Sequence, residues 1–177
     1  MRLAILTSLL AFGWTAPAQA QPACADYVLA PDNSALTILF NDLTVAGAGP
    51  KISQCSVDVE LELPRGMSLS VYRVDYRGYA HLERKETATL TVDFNLGPKG
   101  NSRNFKRTVR GAIDDEFTFE ENIGAGLMKR VGCGVDAKLH IDVSLILDGS
   151  GEALATMDSG DGAARRGLVY RLDLKKC

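Results

Sequence analysis

Apolar and polar residues alternate one for one along four long stretches of the chain. In Ser56–Leu63 the apolar side is Val57, Val59, Leu61 and Leu63, with acids between them. Thr87–Leu96 sets Ala88, Leu90, Val92, Phe94 and Leu96 against Thr, Asp and Asn. Lys138–Leu147 repeats the pattern with Leu139, Ile141, Val143 and Leu145, and Leu168–Lys175 with Leu168, Tyr170, Leu172 and Leu174. Successive strand side chains point to opposite faces, so each stretch predicts a strand with one buried and one wet side. Antiparallel sheets sharing a single core produce this pattern.

Five further strands are predicted at Ala35–Phe40, Met67–Tyr76, Phe105–Arg110, Glu116–Glu120 and Glu152–Met157. Gly- and Pro-containing segments separate them, at Leu63–Gly66, Leu96–Gly100 and Gly160–Gly162, and Asp148–Gly151 reads as a hairpin loop. No long window carries a helical stripe. The expectation is an all-β fold, an antiparallel β-sandwich of jelly-roll type with about eight or nine strands. Within Met67–Tyr76 the apolar phase moves from Met67, Leu69 and Val71 to Tyr72, Val74 and Tyr76. A one-residue shift of this kind predicts a β-bulge, and Gly78 offers a second kink just beyond it.

Composition adds location. Residues 1–20 hold Arg2 as their only charge, an uncharged apolar run Leu3–Trp14, and small residues Ala18 and Ala20. That layout predicts a secretory signal peptide over 1–20 and one β-sandwich domain over 21–177. The run is shorter than the roughly 20 residues a membrane span requires, so no membrane span is expected. The remainder carries 19 Lys+Arg against 22 Asp+Glu, a mild acidic balance that excludes a phosphate-gripping nucleic-acid binder. Cys24, Cys55, Cys133 and Cys177 are widely spaced and even in number, without the close pairs of a zinc site. Two disulfides in an oxidising compartment, extracellular or periplasmic, are expected. Three connectivities are possible. If the strands carrying Cys55 and Cys177 are antiparallel neighbours, Cys55–Cys177 with Cys24–Cys133 is favoured.

Candidate chemistry concentrates at Val74–Arg84. Tyr72, Tyr76, Arg77 and Tyr79 form the candidate ligand patch, since tyrosine rings stack on sugars while neighbouring charges bind their hydroxyls. The competing reading makes Tyr72 and Tyr76 core or corner tyrosines and pairs Asp75 with Arg77. A catalytic set would need His81 with Asp75 or Glu83, but no nucleophile elbow accompanies it. His140 lies on a polar strand face. The acids at Asp114–Glu116 and Glu120–Glu121 are expected to pair with Arg103, Lys106, Arg107 and Arg110. Asp148–Glu152 and Asp158–Gly162 have the oxygen-rich composition of calcium loops and equally of ordinary turns, without EF-hand spacing. No catalytic residue, metal or cofactor is therefore assigned. The expected partner is an extracellular ligand, with a polysaccharide or other surface polymer first. A secreted hydrolase and an extracellular protein inhibitor with a large apolar patch are the alternatives.

The order of Cys24, Cys55 with its alternating strand, Leu63-Pro64-Arg65-Gly66, then Val74-Asp75-Tyr76-Arg77-Gly78-Tyr79, Gly132-Cys133-Gly134 and Tyr170–Cys177 resembles the secreted domain of unknown function 4360 family. The resemblance implies secretion and a β-rich, disulfide-bonded domain, and it brings no catalytic residues. Tryptophans common in that family near the third and last cysteines are replaced here by Met128–Val131 and Leu172–Lys175.

Overall fold

The computed structural model describes residues 24–98, 101–124, 127–135, 137–157 and 167–177. Among the described residues the regular elements are twelve strands. They are β1 (Ala25–Leu29), β2 (Ala35–Phe40), β3 (Thr44–Ala46), β4 (Gly49–Glu60), β5 (Met67–Leu82) and β6 (Thr87–Leu96). After them come β7 (Ser102–Arg110), β8 (Ile113–Asn122), β9 (Val131–Gly132), β10 (Lys138–Gly149), β11 (Leu154–Thr156) and β12 (Gly167–Lys176). The nine expected strands are all present. The three extra ones, β1, β3 and β9, span only five, three and two residues and are too short or too one-sided to show alternation.

All the pairings are antiparallel, and the strands form two sheets. The larger runs β1-β2-β12-β5-β11-β3, with β8 and β9 on the other side of β5, and the smaller runs β4-β10-β6-β7. Alternation decides which residues meet between them. Leu36, Ile38 and Phe40, Val74 and Tyr76, and Leu168 and Tyr170 face inward from the large sheet, while Val57 and Val59, Leu90 to Phe94, and Leu139 to Leu147 supply the facing layer at every second position. Phe94 of β6 makes an edge contact with Tyr170 of β12 at 5.2 Å and stacks on Phe105 at 5.9 Å, and Phe105 meets Tyr76 at 6.3 Å. This aromatic cluster binds the two sheets face to face, which makes the fold the expected sandwich.

The bulge lies where the phase shift placed it. Val71 pairs with Leu172 and Arg73 with Arg171, leaving Tyr72 without a Cα partner on β12. Gly78 serves another purpose than the expected kink. It sits in an unbroken strand between the end of the β12 pairing at Arg77 and the start of the β11 pairing at Tyr79. A Cβ there would lie 2.4 Å from the Phe117 ring and 2.6 Å from the Thr156 carbonyl, so glycine is required for space.

Two expectations are corrected. The disulfides are Cys24–Cys55 and Cys133–Cys177, each with Cα atoms 5.8 Å apart. Cys55 and Cys177 are not on neighbouring strands: β4 belongs to the small sheet and β12 to the large one. Cys133 and Cys177 meet because β9 and the end of β12 flank the start of β5, at Ser68 and Met67 respectively. Asp148–Gly151 is also not a hairpin, since β10 and β11 lie in different sheets. The chain crosses there, and Glu86 accepts hydrogen bonds from the Ser150 backbone N–H and hydroxyl at 2.6 and 2.8 Å. Asp158–Gly162 lies outside the described residues.

On the side where β7 and β8 edge the two sheets, the Arg107 guanidinium reaches the buried Glu121 carboxylate at 2.6 Å. Of the expected charge pairs this one forms, joining the sheets across their edge, whereas Glu120 pairs with Arg73 and Asp114 with His81. Arg107→Ala leaves Glu121 buried without its counter-charge, and because Arg107 is itself half exposed the loss should be about 1–3 kcal/mol. Urea unfolding will measure it, and the double variant Arg107→Ala/Glu121→Gln should recover part of the loss. A non-reducing digest should yield one peptide pair joining Cys24 to Cys55 and another joining Cys133 to Cys177.

Candidate functional site

Beyond the bulge, β5 alternates cleanly. Val74, Tyr76, Gly78, Ala80 and Leu82 point inward, while Arg73, Asp75, Arg77, Tyr79 and His81 face the outside of the large sheet. The predicted patch is therefore split. Tyr76 is 1% exposed and belongs to the aromatic core, so it is unable to touch a surface ligand. Its phenol is pushed well above the usual range by burial and then by the Glu121 carboxylate. Tyr72 is 41% exposed at the bulge, Arg77 is exposed, and Tyr79 is half-buried.

The outward residues mostly bind one another. Asp75 does not pair with Arg77. It accepts from Arg73 at 2.5 and 3.1 Å and from Arg171 at 3.0 Å, and Arg73 also reaches Glu120 at 3.3 Å. Burial pushes the Asp75 carboxyl up, but the Arg73 and Arg171 hydrogen bonds outweigh it and hold it below 3.8. The stabilisation is therefore present above the unfolded carboxyl range and is lost as pH falls through the folded one. His81 Nδ1 lies 3.2 Å from Asp114, the carboxylate to which the Tyr79 hydroxyl donates. His81 thus pairs with neither Asp75 nor Glu83 as the hydrolase alternative required, and its partner Asp114 is an exposed surface carboxylate.

Two adjoining hollows lie on the opposite face. Along the outside of the small sheet, register lines up Gln54, Ser144 and Thr91 in one row, Ser56, Asp142 and Asp93 in the next, and Asp58, His140 and Asn95 in a third. The first two rows line a cavity of about 540 Å³. A second cavity of about 340 Å³ adjoins it through Ser56 and is lined by Asp26, Tyr27 and Asp58. Tyr27 is 49% exposed. It reaches this place because the Cys24–Cys55 disulfide ties the start of β1 to the middle of β4. The result is a groove with an aromatic wall at one end and hydroxyl, amide and carboxylate groups along its floor. Ile52 and Ile146 pair directly beyond the Gln54–Ser144 row and are exposed, 58% and 38%, forming an aliphatic shelf at the groove's other end.

Sequence reasoning did not single out these residues, apart from noting His140 on a polar face. Gln54, Ser56, Thr91, Asp93, Asp142 and Ser144 are the wet half of alternating strands, which looks the same in sequence whether it faces solvent or a ligand. His140 does more than face solvent. Its Nδ1 lies 2.9 Å from Asp58 and its Nε2 3.1 Å from Asp142, so it bridges the two hollows.

The fold and cysteine frame define a disulfide-bonded β-sandwich domain. The chain belongs to the family described as domain of unknown function (DUF4360), whose model matches residues 21–177. It is also similar to an uncharacterized secreted protein of Arthroderma benhamiae, 27% identical over 144 residues, covering 76% of this chain and 58% of the relative. The protein is secreted, in keeping with that relative and with two disulfides of a kind that persists in oxidising compartments. Among solved structures it is similar to TmCBM61 in complex with β-1,4-galactotriose, at 18% identity and a TM-score of 0.36, covering 87% of this chain and 83% of that one. That likeness is too distant to speak for a ligand here. Among the described residues no helix is long and apolar enough to cross a membrane.

The hydrogen bond to Asp58, reinforced by Asp142 and opposed by partial burial, raises the His140 pKa above its ordinary 6.5. The stabilisation is complete below the unfolded value and disappears as pH rises through the folded one. In an NMR titration the His140 ring should change protonation above 6.5. Asp58→Asn should bring that midpoint down.

Proposed function

We propose that the protein is an extracellular binding module for a polyhydroxylated polymer, a glycan foremost, and that the ligand lies in the groove of the small sheet. The observation that carries this reading is the pair of adjoining hollows, joined at Ser56 and walled by the half-exposed ring of Tyr27. A sugar presents an apolar C–H face and a rim of hydroxyls. Tyr27 suits the face, and Gln54, Ser56, Thr91, Asp142 and Ser144 suit the rim through both donors and acceptors. Several strands position the groups, so little order has to be imposed on binding. Non-catalytic action fits the same facts, because the histidine nearest the groove is held between two carboxylates.

Affinity electrophoresis through gels containing neutral or charged cell-surface polysaccharides tests the reading. The protein from residue 21 onward should be retarded by at least one polymer, and Tyr27→Ala should weaken that retardation about tenfold, equivalent to about 1.4 kcal/mol. Arg77→Ala and Tyr79→Ala, on the opposite face, serve as controls. If these two abolish retardation while Tyr27→Ala leaves it intact, the site is on the large sheet and the groove assignment is wrong.

A further inference from the structure

Asp142 of β10 and Asp93 of β6 are directly opposed across the antiparallel pair, both on the outward face. Opposed side chains have Cβ atoms about 4.5–5.5 Å apart, and like charges at that spacing repel. His140, whose charged form Asp58 and Asp142 favour, relieves the repulsion from the Asp142 side only. Asp93 accepts from the neutral amide of Asn104 at 2.5 Å, and Asp142 shares His140 with Asp58. Asp26 and Asp58 line the adjoining hollow, and no lysine or arginine lines either one. Lys138 is near but is engaged with Asp58 at 3.5 Å.

The walls therefore present four carboxylates in hollows that also hold Tyr27 and a row of hydroxyls. Ionised carboxylates are acceptors only, and an ammonium is a donor only, with three hydrogens to distribute. An anionic polymer meets repulsion along this floor, a neutral one meets surplus acceptors, and an ammonium-bearing one relieves the Asp93–Asp142 repulsion. A calcium ion would need six to eight oxygens around it. Three strands of one sheet supply theirs from a single side, and among the described residues no three His, Cys, Asp or Glu side chains converge on a metal position.

We propose that the ligand of this groove is an amino-sugar polymer with free amines, one ammonium lying between Asp93 and Asp142 while the ring hydroxyls meet Ser56, Gln54 and Ser144. This rests on the groove being the glycan site and names the class of glycan. The interaction is charge-assisted, so it weakens with salt.

The test is calorimetric titration of the protein from residue 21 onward with three oligosaccharides of equal length. One is a β-1,4-linked glucosamine oligomer, one its fully N-acetylated form, and one a uronic-acid oligomer, all at low salt and at a pH where the amine is protonated. The free-amine oligomer should bind about tenfold or more tighter than the acetylated one, and the uronic acid should give no heat. Asp93→Asn and Asp142→Asn should each abolish that preference by weakening the free-amine oligomer to the level of the acetylated one. Asp93→Asn removes a like-charge contact on the surface, so its melting temperature should be at least as high as the parent's, whereas Asp142→Asn also gives up its pairing with His140. Equal binding of free and acetylated forms, or a preference that survives both substitutions, overturns the ligand class. If Tyr27→Ala then still weakens both oligomers, the groove stands as a site for neutral glycans. If none of the three binds, the amino-sugar proposal is wrong, and gel retardation by other polymers decides the groove separately.

Discussion

The sandwich depends on a single residue too many in its longest strand. β5 runs sixteen residues through the centre of the large sheet and pairs with β12 and β11 on one side and with β8 and β9 on the other. Strand side chains alternate strictly, so a strand this long cannot keep the sequence's apolar residues inside once their phase changes at Val71–Tyr72. Tyr72, which has no Cα partner on β12, absorbs the change, and Leu69 and Val71 before it face the same core as Val74, Tyr76, Ala80 and Leu82 after it. Without that insertion one half of β5 would turn its apolar side to water and its Arg73–Asp75 pair to the core. The aromatic contacts of Tyr76 and Tyr170 with the small sheet exist only because the phase is reset first.

Closing the two sides of the sandwich falls to different chemistries. Where β1 and β4 edge the two sheets, the Cys24–Cys55 bond joins them covalently, and where β7 and β8 do so, Arg107 and Glu121 make an ion pair. The Cys133–Cys177 bond closes one end by fastening the turn after β9 to the end of β12. Each disulfide restricts the unfolded chain by about 2–4 kcal/mol, over loops of 31 and 44 residues. For a secreted domain this covalent contribution matters, because the outer faces of both sheets are largely polar. The first bond also sets Tyr27 beside Ser56, in the groove proposed as the binding site.

The long strands were legible because their apolar residues recur at every second place, and the bulge was legible as the one break in that rhythm. The short strands were not. β1 exposes three consecutive residues, Asp26, Tyr27 and Val28, as an edge strand does, so it shows no alternation at all. The site was less legible for a related reason. Tyr76 sits in the most aromatic stretch of the chain, yet a residue's face is set by strand phase and not by the company it keeps in sequence. Tyr27 stands alone between an acid and a valine, and only the disulfide partner of Cys24 reveals what it lies against. The pairing of cysteines itself required knowing which strands share a sheet, and that follows from long-range register, on which local pattern is silent.

The same distinction explains why two carboxylates can sit opposed in the middle of a well-formed sheet. In sequence, Val92-Asp93-Phe94 and Ile141-Asp142-Val143 are ordinary alternation, each acid a sound choice for a wet position on its own strand. Pairing β6 with β10 in the register that buries Val92, Phe94, Ile141 and Val143 forces the two acids together. Moving the register by one residue would avoid the repulsion and turn every core side chain outward, a loss of many buried apolar contacts against one surface repulsion. The core therefore dictates the register, and the register fixes the electrostatics of the outer face. A substitution to asparagine at either position would have removed the conflict at no cost to packing, since both side chains are exposed. Both acids are present, flanking a groove with an aromatic wall, and the core's hold on the register keeps them opposed in the proposed site.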